Sequence, residues 1–187
     1  MGNLIIIAGH PGSGKSYLVK NLYFLGTNYV VVKKKTTRPP RKNESLEMSV
    51  EFSFNCSLNE VKNCDYCYKY RDELYGFNFS DIDVIISKNL NAVIIIKLVN
   101  VIKEMQKKYK NSFAFLFISV LSTNSLKKYL LERSESSEDE IKRRLFSPDE
   151  EKIKRDYSNN ISIFNKIIFN KYDEKFLEEI KHFLTNQ

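Results

Sequence analysis

The sequence predicts an α/β fold built on a mainly parallel sheet, and three observations carry that prediction. Apolar runs of strand length alternate with segments of helical spacing along most of the chain. The first apolar run opens directly into a glycine-rich turn and then a helix. Interior runs such as "AVIII" at 92–96 are apolar at every position, as strands covered on both faces are. The 187 residues suffice for one such domain with a real core.

Taken in order, residues 4–8 read as a short strand and "YLVKNLYFLG" as a helix with Leu18, Val19, Leu22 and Leu25 on one face, closed by Gly26. "YVVVKK" (29–34) reads as a second strand, and the paired prolines of "TTRPPRKNE" impose a turn. Residues 50–55 alternate like a half-exposed strand, and 67–72 read as an edge strand. Helices are expected over 81–87 and 99–109, with strands over 92–96 and 113–120. "STNSLKKYLLERS", "SSEDEIKRRL" and "DEEKIKRDYSNN" follow as helices, the first two opened by capping residues. "NKIIFN" is a last strand and "DEKFLEEIKHFL" a terminal helix. Residues 36–76 break the alternation, which predicts a small β-rich lobe inserted into a core of 1–35 and 77–187.

Composition narrows the function classes. With 42% hydrophobic and 28% charged residues, the chain reads as soluble and globular, and no apolar run approaches the roughly 18 residues of a membrane span. "MGNLIII" lacks a basic leader and a cleavage site, and its "MG" start lacks the hydroxyl residue of a myristoylation signal. The expectation is a cytoplasmic protein without a membrane partner. A net charge of +7 and a pI near 9.2 suit polyanions, either nucleic acid or phosphorylated small molecules. The lysines are scattered and no nucleic-acid module is visible, so no nucleic-acid partner is expected. Cys64 and Cys67 have C-x-x-C spacing, but only Cys56, His10 and His182 remain to complete a zinc site, and free thiols are the expectation. The sequence leaves monomer and homodimer open.

Residues 9–16, "GHPGSGKS", match G-x-x-x-x-G-K-[ST] at every fixed position, with a strand before and a helix after. In such a loop the glycines let backbone N–H groups turn inward around phosphate oxygens, and the helix start adds positive potential. Gly9, Gly12, Ser13, Gly14, Lys15, Ser16 and Tyr17 are therefore the expected ATP-binding residues. Lys15 reaches the β- and γ-phosphates, and the Ser16 hydroxyl ligates Mg²⁺. Further on, "TTRPPR" sets Arg38 and Arg41 on one tight turn. Two guanidiniums that close need an anion between them, and the fork of each suits a phosphate.

These residues resemble the guanylate kinase family. The chain carries "TTRPPR" (36–41), then Glu44, then "LYG" (74–76), and "RSESSEDEIKRRL" (133–145) lines up without gaps on the family's lid pattern. "IIFN", ending at Asn170, is similar to the family's C-terminal strand end. The resemblance spans nearly the whole chain. It implies a P-loop kinase: a parallel sheet core flanked by helices, an inserted acceptor-binding lobe, and a helical lid over about 130–150. It further implies that Arg38, Arg41 and Tyr75 hold the acceptor's phosphate. Lys15, Arg133 and Arg144 would neutralise the transferring phosphoryl group, and Asn170 would lie near the adenine. The activity implied is transfer of the ATP γ-phosphoryl group to a nucleoside monophosphate, by family default GMP.

The chain departs from the family where the purine is read. The strand acids of the family fall at Ile95 and Lys97, a serine at Lys34, and the hydroxyl after "YG" at Phe77. The lobe glutamate falls near Tyr66, beside Asp65, and the lobe tyrosine at Val50 or Phe52. Groups that grip phosphates remain while groups that read a base edge are replaced. That favours a phosphorylated acceptor other than GMP, with Lys34 and Lys97 adding positive charge to its site. A simpler reading of Lys97 is a strand-end lysine whose ammonium reaches water. A non-catalytic binding module of the same fold is the third reading, opposed by the intact Gly14–Lys15–Ser16.

Overall fold

The computed structural model describes residues 2–41, 44, 46, 49–132, 137–173 and 175–185. The chain runs β1 (Leu4–Gly9), α1 (Lys15–Lys20), β2 (Tyr29–Val31), β3 (Lys34–Thr36), β4 (Phe52–Ser53), α2 (Leu58–Lys62), β5 (Tyr66–Tyr70) and β6 (Glu73–Phe77). It continues α3 (Phe79–Ser87), β7 (Asn91–Ile95), α4 (Val99–Lys108), β8 (Ser112–Ser119), α5 (Thr123–Glu132), α6 (Glu138–Phe146), α7 (Pro148–Asn159), β9 (Lys166–Asn170) and α8 (Lys175–Thr185).

Two sheets result. The larger is a five-stranded parallel sheet in the order β2-β7-β1-β8-β9. Its central strand explains the unbroken apolar runs. Leu4, Ile6 and Ala8 face one cluster with Ile82, Ile102, Met105 and Ile153, whereas Ile5 and Ile7 face another with Leu18, Leu22, Phe176 and Ile180. Each isoleucine buried this way contributes roughly 1.5–3 kcal/mol. A third, smaller cluster joins α5 to α6 through Leu126, Leu130, Ile141 and Leu145. The second sheet, in the order β4-β3-β6-β5, pairs β3 with β6 and β6 with β5 antiparallel.

The strand expected over 29–34 is in fact two. Tyr29–Val31 pairs with β7, and Val32 N–H still donates to Val93, but Lys34 already pairs with Phe52 in the second sheet. The chain changes sheets at Val32–Lys33, so no single ladder could hold it. The first helix ends at Lys20, short of Gly26, and a 3-10 turn over Leu22–Phe24 follows. The alternating stretch at 50–55 forms only the two-residue β4. Helix α2 was not anticipated, although Ser57 and Glu60 form a reciprocal capping box that the sequence spells out.

The last two caps matter for the site. The hydroxyl of Ser137 accepts from Glu140 N–H at the start of α6, and that of Ser147 from Glu150 N–H at the start of α7, each at 3.3 Å. With Pro148 in the first turn, Ser147 thereby fixes where the Glu150 side chain enters the fold.

Candidate active site

The turn between β1 and α1 depends on left-handed glycines. Gly12 has φ 77° and Gly14 φ 100°, and a Cβ on Gly14 would stand 2.7 Å from Asn170 Nδ2 and 2.8 Å from the Phe176 ring. The turn is braced from behind. Gly9 N–H donates to the Tyr157 hydroxyl at 3.2 Å, and the Tyr172 hydroxyl donates to Gly12 O at 2.8 Å. Lys15 Nζ donates to His10 O and to Ser13 Oγ across the turn. Burial, with Lys97 and Arg144 nearby, pulls the Lys15 amine well below its ordinary range, and the charges of Glu150 and Glu51 pull against that.

An open cleft of about 140 Å³ lies between this turn and the second sheet. Gly12, Gly14, Lys15, Ser16 and Tyr17 border it on one side. Arg38, Arg41, Glu44, Glu51, Phe52 and Tyr75 border it on the other, with Arg144 of α6 and Ile95 of β7 completing the wall. Of the residues expected to bind ATP, Gly9 and Ser13 are buried behind the turn and do not border the cleft. Asn170 is 4% exposed, set against Gly14, and its Oδ1 accepts from Tyr172 N–H. Arg133 lies outside the described residues.

The anion that the paired arginines require is Glu44. Arg38 grips it with two bonds, of 2.7 and 3.1 Å, and Arg41 Nη1 adds a third at 3.0 Å. Burial works against the Glu44 carboxylate, but the Arg38 hydrogen bonds and the Arg41 charge outweigh it and hold its pKa below the usual range. The Arg38 guanidinium also lies over Phe54 and Phe52, at 4.9 and 5.4 Å from the ring centroids. Arg41 Nε reaches across to Glu140 of α6 at 2.7 Å. Tyr75 stacks on Tyr68 at 5.5 Å and borders the same cleft. The arginines are therefore held in place before any acceptor arrives.

Neither of the two lysines expected in the acceptor site lines the cleft, although Lys34 touches three residues that do. Lys34 is 3% exposed, its Nζ bonded to Ile95 O, 3.6 Å from Glu51 and over the Phe52 ring. Lys97 does not border the cleft, and its side chain is 19% exposed. Its Nζ donates to the Tyr70 hydroxyl at 3.0 Å and to Glu150 Oε2 at 3.2 Å. Each amine has a carboxylate partner within the chain, Glu51 for Lys34 and Glu150 for Lys97.

Glu150 is the residue that sequence reading missed. It is 1% exposed, and its Oε1 pairs with His10 Nδ1 at 3.1 Å while Oε2 accepts from Tyr70 and Lys97, with Arg71 at 3.8 Å. Burial disfavours its charge, yet the His10 hydrogen bond and the Lys97 charge bring its pKa down to about 2. Nothing in "PDEEKIKRD" separates this acid from its solvated neighbours except its place three residues after the capping Ser147. Tyr157 and Tyr172 were missed for the same reason, since a hydroxyl's contact with a distant loop leaves no trace in local spacing.

Other replaced positions are packed with aromatic rings. Tyr66 stacks on Phe77 at 5.4 Å, and the Asp65 carboxylate is taken by Phe79 N–H at 2.8 Å. The three cysteines are free, and among the described residues no group of three or more His, Cys, Asp or Glu side chains could hold a metal. No helix among those residues is long and apolar enough to cross a membrane.

A parallel sheet whose first strand feeds a glycine turn, with an invading lysine and a facing wall of arginines, defines a P-loop phosphotransferase. The comparisons give the family. The guanylate kinase family model matches residues 1–187, and the chain belongs to the guanylate kinase family. It is 27% identical over 191 residues to the guanylate kinase of Mycoplasma genitalium, covering 100% of this chain and 76% of that protein. It is 26% identical over 195 residues to that of Bacteroides thetaiotaomicron, covering 100% and 92%. The crystal structure of guanylate kinase from Anaplasma phagocytophilum shares the fold, with a TM-score of 0.69 at 16% identity, covering 99% of this chain and 85% of that one.

Proposed function

We propose that this protein transfers the γ-phosphoryl group of ATP to GMP. The observation that carries the reading is the cleft, with Lys15 and Ser16 on one wall and Arg38, Arg41 and Tyr75 on the other. The donor's phosphates would lie on the glycine turn and the acceptor's phosphate on the arginine turn, facing each other across the cleft. Residues 36–76 then serve as the acceptor lobe, and 130–150 as the lid that brings Arg144 and Arg133 to the transferring group. Transfer of this kind needs positioning and charge neutralisation more than covalent chemistry. Lys15 and Arg144 supply the charge, and Arg38 and Arg41 fix the acceptor's phosphate.

The donor set suits magnesium. The Ser16 hydroxyl borders the cleft, and Mg²⁺ commonly takes few protein ligands and completes its shell with phosphate oxygens and water. When bound there, the ion would shield the β- and γ-phosphate oxygens. Guanine presents two adjacent N–H donors on its pairing edge and needs a carboxylate to accept them. Glu44 is occupied by the arginines, so Glu51, on the cleft wall and steadied by Lys34, is the carboxylate suited to the base.

A coupled ADP-release assay over nucleoside monophosphates and sugar phosphates tests the reading. Turnover with GMP well above the other acceptors is expected. Preference for a sugar phosphate or another nucleotide would replace GMP as the acceptor. No turnover with any acceptor, together with no ATP affinity, would overturn the kinase reading.

A further inference from the structure

We propose that Glu150 is a positioning residue for phosphoryl transfer, whose buried carboxylate, with Lys97 as its counter-ion, fixes the glycine turn and the second sheet at the separation the reaction needs. The proposal rests on the kinase reading above and names a part of its machinery that touches neither substrate.

The geometry makes the case. One carboxylate joins three separate parts of the site. Oε1 holds His10, the second residue of the glycine turn, and Oε2 holds Tyr70 at the end of β5 and Lys97 just past β7. Arg71, next to Tyr70, stands 3.8 Å from the same oxygen and donates through Nη2 to the backbone oxygen of Arg144, the α6 residue that borders the cleft. The donor side, the acceptor side and the cationic helix are thus all referred to Glu150.

Packing alone does not hold the turn. Pro11 borders the active-site cleft and also a second cavity of about 120 Å³, lined by His10, Glu150, Leu126 and Leu145. The His10–Glu150 bond therefore adds to the Tyr157, Tyr172 and Lys15 bonds that brace this stretch, and it alone ties the turn to α7 through a charge. A buried charge is an expensive way to fill space, and well-packed apolar residues would often be as stable. What the charge adds is direction: four polar partners must meet at two oxygens, and only one relative placement of sheet and turn allows it. Burial outweighs the pull of Glu150 and leaves the Lys97 amine at about 8. This also answers why the strand end carries a lysine: the acid of the pair sits on α7, and the strand supplies the cation.

Three variants test the proposal. Glu150→Gln keeps the shape and removes the charge. It should lower kcat/KM by about 10²-fold, the loss expected of a misplacement near 1 Å, with KM raised for both ATP and GMP. In the ligand-free protein it should speed amide hydrogen exchange in both 9–16 and 66–77. The Lys97→Met/Glu150→Gln double variant removes both charges and should regain melting temperature without regaining kcat/KM. Should Glu150→Gln not fold, Tyr70→Phe removes only the hydroxyl and should raise the KM for GMP several-fold while leaving that for ATP unchanged. Kinetic constants for both substrates unchanged in Glu150→Gln, or in Tyr70→Phe where that variant takes its place, would overturn the proposal. So would exchange confined to α7, or a double variant that regains stability and kcat/KM together. Wild-type turnover in the same assay tests the kinase reading separately, and the exchange measurement does not depend on it.

Discussion

Arg41 Nε lies 2.7 Å from Glu140 Oε1, and this one ion pair ties the arginine turn of the second sheet to the helix that carries Arg144. Both side chains are 27% exposed, so the pair contributes little to stability, about 1 kcal/mol or less. Its consequence is for the acceptor. Glu140→Gln should change the KM for GMP by less than about tenfold, because Arg41 keeps its charge and its bond to Glu44. Arg41→Met removes the guanidinium itself and should raise that KM by roughly 10–100-fold, the worth of a charge-assisted bond of about 1.5–3 kcal/mol. Steady-state kinetics on the two variants separates the roles. Equal effects would show that Arg41 serves the helix and not the acceptor.

Lys15 is the single cation that the glycine turn itself presents to the cleft. Lys15→Met should lower kcat by about 10²–10³-fold, the loss seen when one charge-stabilising donor is removed. The fold should survive, because the Tyr157 and Tyr172 bonds to Gly9 and Gly12 remain. Turnover together with a thermal melt checks both halves, and retained kcat would remove Lys15 from the chemistry.

The sequence made the glycine turn legible because its chemistry is local: glycines, lysine and hydroxyl must follow one another within eight residues. The arginine turn was legible for the same reason, but the anion between Arg38 and Arg41 is Glu44 of the chain itself where a phosphate was expected. What the sequence hid was the partners of the lysines. Lys97 and Lys34 looked available for a substrate because their partners, Glu150 and Glu51, stand 53 and 17 residues away along the chain. The sheet change at Val32–Lys33 was hidden likewise, since one β-branched run serves two ladders and local pattern cannot say where the first ends. Contacts made by folding, and not by spacing, were beyond sequence reading.

Gly9 N–H is buried and has the Tyr157 hydroxyl as its acceptor at 3.2 Å. Tyr157→Phe leaves the ring packed against Phe164 and His10 but strands that N–H. The expected cost is about 1–3 kcal/mol of stability, the penalty of a buried donor left unpaired. It should come with weaker ATP binding, since Gly9 opens the turn. Chemical denaturation and nucleotide titration measure the two. A neutral outcome in both would mean the N–H finds water.

Acid should weaken this protein through Glu150. Its pKa is about 2 in the folded chain, against an ordinary 4.5, so the depressed value contributes stability that is fully present above about pH 4.5. The sign follows from proton uptake: between the two values the unfolded chain binds more protons, and stability falls as pH falls toward 2. The shift corresponds to on the order of 3 kcal/mol at neutral pH. Glu150→Gln cannot take up that proton. Its melting temperature should therefore start lower at pH 7 and decline less between pH 4.5 and 2.5 than that of the native chain. Parallel curves for the two proteins would mean that the carboxylate loses its partners before it is protonated, and that the cluster opens ahead of the fold.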